Sequence, residues 1–138
     1  MSLNVDLLQS SFDLVMEREP ELTIRFYEHL FARHHEVEPL FSRNSRAQQA
    51  LMLARALGAV VEHLEDASWL EQTLSVMGAR HVGYGVTEAM YDWVGEALLE
   101  TLAEVAGDAW SDELAAAWSE AYGAIAGLMK AGAQQAAA

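Results

Sequence analysis

Cysteine is absent from this sequence, which rules out a disulfide framework, a thiolate zinc site and any thioether-linked cofactor. A cofactor, if the chain carries one, must be held without a covalent bond. Basic residues are scarce: 8 Lys plus Arg stand against 21 Asp plus Glu, and the formal net charge of −13 opposes nucleic-acid phosphates and anionic membrane surfaces. Neither nucleic acid nor membrane is therefore an expected partner. Long apolar runs are also missing. Leu57-Gly58-Ala59-Val60-Val61 is typical of those present, far from the roughly 20 residues that span a bilayer. The N-terminus has no basic flank and no apolar signal core, so the reading places the protein in the cytoplasm. Proline occurs only at 20 and 39, and no segment alternates with period two, which leaves little room for strands.

What is present is helix-forming. Ala, Leu, Glu, Met and Gln dominate a chain of 138 residues that is 52% hydrophobic, enough for one all-α domain burying roughly two thirds of its unfolded surface. A first helix is expected from Asn4 to Arg18, with Val5, Leu8, Phe12 and Val15 inward. Pro20 suits the first turn of a second helix running to about His34, whose inner side carries Thr23, Tyr27, Leu30, Phe31 and His34. A turn follows between His35 and Ser45, with Leu40-Phe41 as an apolar pair that something must bury. The third helix runs from about Arg46 to Leu64 on a stripe of Leu53, Leu57, Val60, Val61 and Leu64, with Gln49 one turn ahead of Leu53 on the same side. Asp66 or Ser68 caps a fourth, and Gly83-Tyr84-Gly85 breaks it. Thr87 caps a fifth with Tyr91, Val94, Leu98, Leu102 and Val105 inside. Ser111-Asp112-Glu113 opens a sixth bearing Leu114, Trp118, Tyr122, Ile125 and Met129. The tail from about Gly132 reads as frayed.

The fourth helix holds the most informative residue. Leu70, Leu74, Met77 and His81 recur at steps of four, three and four, so an imidazole continues an apolar stripe. Such a histidine is more often a core residue with a satisfied hydrogen bond than a ligand, and Tyr27 is open to the same reading. Several chemistries can be set aside: there is no H-E-x-x-H, no G-x-S-x-G and no nucleophilic cysteine. The acid pairs Glu17/Glu21 and Asp112/Glu113 read as solvated faces and caps, and His34-His35 lacks a third ligand. One imidazole is too little for zinc. It suffices for haem iron, which takes four ligands from the porphyrin.

The order and spacing of six motifs then carry a resemblance: Phe26-Tyr27; Leu40-Phe41; Gln49 with Leu53; Met77-Gly78-Ala79-Arg80-His81; Val94-Gly95-Glu96-Ala97-Leu98-Leu99; and Ala117-Trp118-Ser119-Glu120-Ala121-Tyr122-Gly123. From first helix to last the sequence resembles a globin, most of all single-domain bacterial haemoglobins, the haem domain of flavohaemoglobins, and neuroglobin. The resemblance implies haem b with His81 as proximal iron ligand and Phe41 wedging the porphyrin. Tyr27 and Gln49 match the distal pair facing bound gas, with Leu53 beside them and Gln48 as rival to Gln49. Met77, Val86 and Val94 match porphyrin contacts, and Arg80 a propionate partner. It further implies oxygen, carbon monoxide and nitric oxide as ligands, with reversible oxygen binding, nitric oxide dioxygenation, or a haem-less sensor or interaction module as the functions to separate. Three features depart from the pattern. His35 stands where the family usually has proline. Tyr91 matches a tyrosine that flavohaemoglobins place beside the proximal histidine, but the glutamate that completes their group aligns near Ala133. No flavin or nicotinamide domain follows, so a redox cycle needs an external reductase.

Overall fold

The computed structural model describes residues 3–42 and 44–137. Six α-helices follow in order: α1 (Val5–Arg18), α2 (Leu22–Arg33), α3 (Arg46–Glu62), α4 (Ala67–Gly83), α5 (Glu88–Ala106) and α6 (Asp112–Ala137). The described residues contain no strand, in agreement with the all-α expectation. Four helix starts are fixed by side-chain caps: Asn4 accepts from the Leu7 amide at 3.2 Å, Ser45 from Gln48 at 3.2 Å, Asp66 from Trp69 at 3.0 Å, and Ser111 from Leu114 at 3.1 Å. Each satisfies one of the amides that a helix N-terminus leaves without a partner.

Three local differences from the sequence reading have physical causes. Residues His35–Phe41 are not a plain turn but a 3₁₀ helix, closed by Ser42, whose amide and hydroxyl both donate to the Pro39 carbonyl at 3.3 and 2.8 Å. Buried Val37 anchors it. Pro20 lies in the turn ahead of α2 rather than inside its first turn, because Glu21 takes the N-cap position. The tail is written as helix: α6 runs to Ala137, and Gly132 is buried against α4, where any Cβ would overlap the backbone of Ser75.

The packing leaves one gap. α4 lies along α6 in the most extensive contact of the fold, and α2 packs on both α5 and α3. Leu8, Leu22, Leu30, Leu74 and Leu102 are almost wholly enclosed, each stabilising the fold by roughly 1.5–3 kcal/mol. By contrast α3 and α4, though consecutive, do not pack extensively on one another. Their junction is held instead at the turn, where the His63 and Trp69 rings stack at 3.9 Å. Half-buried inward residues occur on several helices, among them Phe31, Phe41, Leu53, Leu57, Met77, His81, Val86 and Val94, but also Phe12, Leu70, Val105 and Ile125. Of these, Phe31 and Phe41 line the cavity in front of Tyr27.

Candidate functional site

One wall of the gap is α4. Its last turn carries His81, whose Nδ1 lies 2.6 Å from the carbonyl oxygen of Met77. A carbonyl can only accept, so Nδ1 carries a proton, and in the neutral ring the lone pair is on Nε2. The helix then closes against its own end: the Val86 amide donates to the His81 carbonyl at 3.1 Å, and Gly85 turns with φ +87°, a backbone conformation open to glycine. This sets Val86 beside His81, and faces the turn toward Leu40, which lies 3.5 Å from where a Gly85 Cβ would stand. Behind α4, Gly78 has no room for a side chain, since a Cβ would overlap the Met129 carbonyl. The height of His81 above α6 is therefore set by a backbone-to-backbone contact.

A second cluster is built by α2 and α3. Tyr27 is 3% exposed and sits in an aromatic cage, with ring centroids 5.0 Å from Phe26, 5.7 Å from Phe31 and 5.2 Å from Phe41. Gln49 Nε2 donates to Tyr27 Oη at 3.2 Å. No other described residue takes the phenolic proton, so it is free to be donated into the cavity. Burial raises the Tyr27 pKa, with the Gln49 hydrogen bond acting in the opposite direction more weakly. The phenol thus stays protonated at neutral pH.

The register that joins these two residues comes from a third. Thr23, one turn before Tyr27, donates its hydroxyl to the carbonyl of Ala50, the residue after Gln49, at 2.8 Å. Periodicity put Thr23 inward but gave no sign of this positioning role. Gln48, the rival to Gln49, is occupied in a capping box: its side chain accepts from the Ser45 amide at 3.3 Å and its amide donates to Ser45 Oγ at 3.2 Å. The S-x-x-Q pattern was the available signal for that.

In front of Tyr27 and Gln49 lies a cavity of about 470 Å³, walled by Phe31 and Phe41 and opening at residues 35–46. Met77 and Arg80 line a separate recess of about 400 Å³ on α4, where Arg80 is exposed. Leu53 and Val94 are half-buried and packed against the core. Tyr91 is buried between α5 and α6, and its backbone carbonyl accepts from the Tyr122 hydroxyl at 2.5 Å. The Tyr91 hydroxyl itself has no partner among the described residues, and the ammonium of Lys130 lies 5.8 Å from the ring centre. Among the described residues no carboxylate hydrogen-bonds to it.

The structure thus gives an all-helical protein with an imidazole near the end of α4 and a tyrosine–glutamine pair on α2 and α3, and no described residue of α4 lines the cavity in front of that pair. Residues 24–129 match the globin family model. The chain is 35% identical over 125 residues to a flavohemoprotein of Bordetella pertussis and 31% identical over 126 residues to one of Rhizobium meliloti, covering 89% and 90% of this chain. It spans about 31% of the length of either relative. Among solved structures, an engineered carbene transferase from Rhodothermus marinus superposes with a TM-score of 0.83 at 27% identity, covering 95% of this chain and 91% of that one. A bacterial globin from Campylobacter jejuni gives 0.81 at 23% identity, covering 95% and 94%, a likeness of fold. The chain belongs to the globin family.

The residues present fit an iron porphyrin. The test is chemical: a histidine with Nδ1 committed to a backbone carbonyl can offer Nε2 as a ligand, and the cavity in front of Tyr27 has aromatic walls in Phe31 and Phe41.

Proposed function

We propose that this chain holds haem b non-covalently through His81 and binds oxygen reversibly, with high affinity and slow release, in the cytoplasm. The observation that carries the reading is the buried Tyr27 hydroxyl, which accepts from Gln49 and has its own proton unspent. Haem b would supply an iron that takes its four in-plane ligands from the porphyrin and accepts oxygen, carbon monoxide or nitric oxide at its open position. The chain's own residues do the rest. Met77 O fixes the His81 tautomer and ring angle. Phe41, Leu53, Met77, Val86 and Val94 wall the slot and exclude water, while Arg80 at the exposed rim is the cation for a propionate. Tyr27 donates to the electron-rich outer atom of a polar diatomic ligand, and Gln49, by donating to Oη, aims that proton.

Nitric oxide dioxygenation with an external reductase uses the same pocket. The Rhodothermus marinus neighbour, whose parent is described as a putative nitric oxide dioxygenase, favours that reading, and Tyr91 disfavours it. With no carboxylate on its hydroxyl, Tyr91 cannot pass negative charge toward the proximal imidazole, so His81 donates less electron density than such chemistry calls for. The test is spectroscopic. Reduced, haem-loaded protein under air should show an oxygenated absorption spectrum that reverts when oxygen is removed; rapid one-way oxidation to the ferric form would count against reversible binding. Sustained nitric oxide consumption with a supplied reductase would move the assignment to the enzyme.

A further inference from the structure

The helix α3 is anchored to the rest of the protein at its two ends. Of its 17 residues three are buried, Ala50 near the start and Val60 and Val61 near the end, and residues 51–59 between them include none. Leu51 and Met52 are about half exposed, and a side chain at Gly58 would meet nothing within 4 Å. Among the described residues α3 packs on α2, more lightly on α1, and on no other helix to any extent.

The two anchors differ in kind. The C-terminal one is apolar and braced: Val60, Val61 and Leu64 are buried, Gln9 of α1 donates to the Val61 carbonyl at 3.0 Å, and the His63 ring stacks on Trp69. Asp66 stiffens the turn, since its amide donates to the His63 carbonyl at 2.9 Å while its carboxylate caps α4. The N-terminal anchor buries Ala50 alone and otherwise consists of two hydrogen bonds to α2, from Thr23 to the Ala50 carbonyl and from Gln49 to Tyr27. Apolar stabilisation scales with the area removed from water, so three aliphatic side chains hold far more firmly than one methyl. Hydrogen bonds that water can replace on opening hold weakly. On the other side of the gap α4 is the fixed part. Gly78 lies against the Met129 carbonyl and Gly132 against the Ser75 carbonyl, so α4 and α6 touch backbone to backbone at two points of the most extensive contact in the fold.

We propose that α3 is a hinged strap. It swings about its C-terminal end at residues 60–64, opens at its N-terminal end by breaking the Thr23–Ala50 and Gln49–Tyr27 hydrogen bonds, and by that opening admits and releases haem. The part concerning haem rests on the haem-binding reading above; the hinge does not. Every opening also takes Gln49 away from Tyr27, so the bonds that keep the strap shut include the one that aims the phenol.

Hydrogen exchange on the full chain without haem, read by mass spectrometry, tests the hinge. A helical stretch this short is marginal in water once undocked, so protection over 46–59 should be lower than over 60–66 and 67–83. Thr23→Val removes the donor and keeps the branched shape; it should speed exchange over 46–59 by about two- to tenfold, the worth of one hydrogen bond, and leave 67–83 and 112–137 unchanged. Thr23→Ser, which keeps the hydroxyl, should stay within about twofold of wild type. Haem transfer from the loaded protein to excess apomyoglobin should quicken in Thr23→Val by the same factor as the exchange. Protection over 67–83 equal to or lower than over 46–59 in wild type overturns the proposal. So does a uniform acceleration of all segments in Thr23→Val, which would mean that the bond acts only on global unfolding. Faster exchange over 46–59 with unchanged haem transfer overturns the role in haem admission. If the chain takes up no haem, the haem-binding reading fails, while the exchange pattern still decides for or against the hinge.

Discussion

Replacing Tyr27 by phenylalanine removes one hydroxyl from the aromatic cage and leaves the ring. The three ring contacts at 5.0–5.7 Å have no need of the oxygen, so packing is kept and the hydrogen bond is isolated. A donor facing a ligand with partial negative charge contributes about 1.5–3 kcal/mol, or roughly ten- to 150-fold in affinity. The geometry lowers the expected net effect. Without Oη, the Gln49 amide loses the acceptor it held at 3.2 Å, and it can turn into the cavity and donate in place of the phenol. A neutral donor of that kind restores about 0.5–1.5 kcal/mol. The single variant should therefore release oxygen about tenfold faster than wild type, and Tyr27→Phe combined with Gln49→Leu should approach a hundredfold. Stopped-flow displacement of oxygen by carbon monoxide reads the rate directly. Carbon monoxide release is the control and should move much less, since that ligand stays nearly neutral. Unchanged oxygen release in the double variant would refute the reasoning and return Tyr27 to the status of a core residue.

Three further outcomes follow from the packing. Gly78→Ala should destabilise the fold by about 3 kcal/mol or more, because the added methyl meets the Met129 backbone and must lift α4 off α6; a denaturant midpoint equal to wild type would contradict the close approach. Tyr91→Phe should leave stability unchanged or raise it by about 1 kcal/mol, since it deletes a buried hydroxyl with no described partner; a clear loss in the same melt would show that the hydroxyl is bonded after all. Burial raises the pKa of Tyr27, Tyr91 and Tyr122, with the neighbouring charges of Tyr91 and Asp92 adding to the last. A phenol that holds its proton more tightly when folded contributes its full stability below the ordinary value near 10, and loses it as pH rises past that point. Melting temperature should thus decline above about pH 10, and a flat profile through pH 12 would speak against the burial of all three.

Helix existence and most boundaries were legible because the signals are local. A cap such as Asn4, Asp66 or Ser111 acts within three residues of itself, and a 3.6-residue stripe needs one helix only. The segment 35–41 has neither signal: Pro39 argues against an α-helix, and nothing in the pattern favours a 3₁₀ helix over a turn. The packing role of Gly132 was hidden for a related reason. Glycine late in an Ala/Gln-rich run looks like a helix end, yet here it is the point where α6 touches Ser75, a contact that lies 57 residues away in the chain. The same holds at the candidate site. Stripe positions put Tyr27 and Gln49 on inner faces, but their meeting depends on how α2 crosses α3, which the Thr23 to Ala50 hydrogen bond fixes. The capping box at Ser45 separated Gln48 from Gln49, and it could have been read from spacing alone. The mouth of the cavity was invisible, since Asn44 and Arg46 belong to no stripe and line it only once the 3₁₀ turn has folded beside Tyr27.

The central claim is that His81 is the protein's ligand to haem iron, and titrating hemin into wild type and His81→Ala while recording the Soret band tests it most directly. Wild type should saturate at one haem per chain with the sharp band of a histidine-ligated iron, and the bound haem should raise its melting temperature; a ligand present at a thousand times its dissociation constant adds about 4 kcal/mol. His81→Ala should give only the broad band of loosely held haem and lose that added stability, while its apo form melts close to the wild-type apo protein, because the half-buried ring makes one hydrogen bond to its own helix. Stoichiometric haem retention by His81→Ala, with an unchanged Soret band and an unchanged rise in melting temperature, would contradict the assignment.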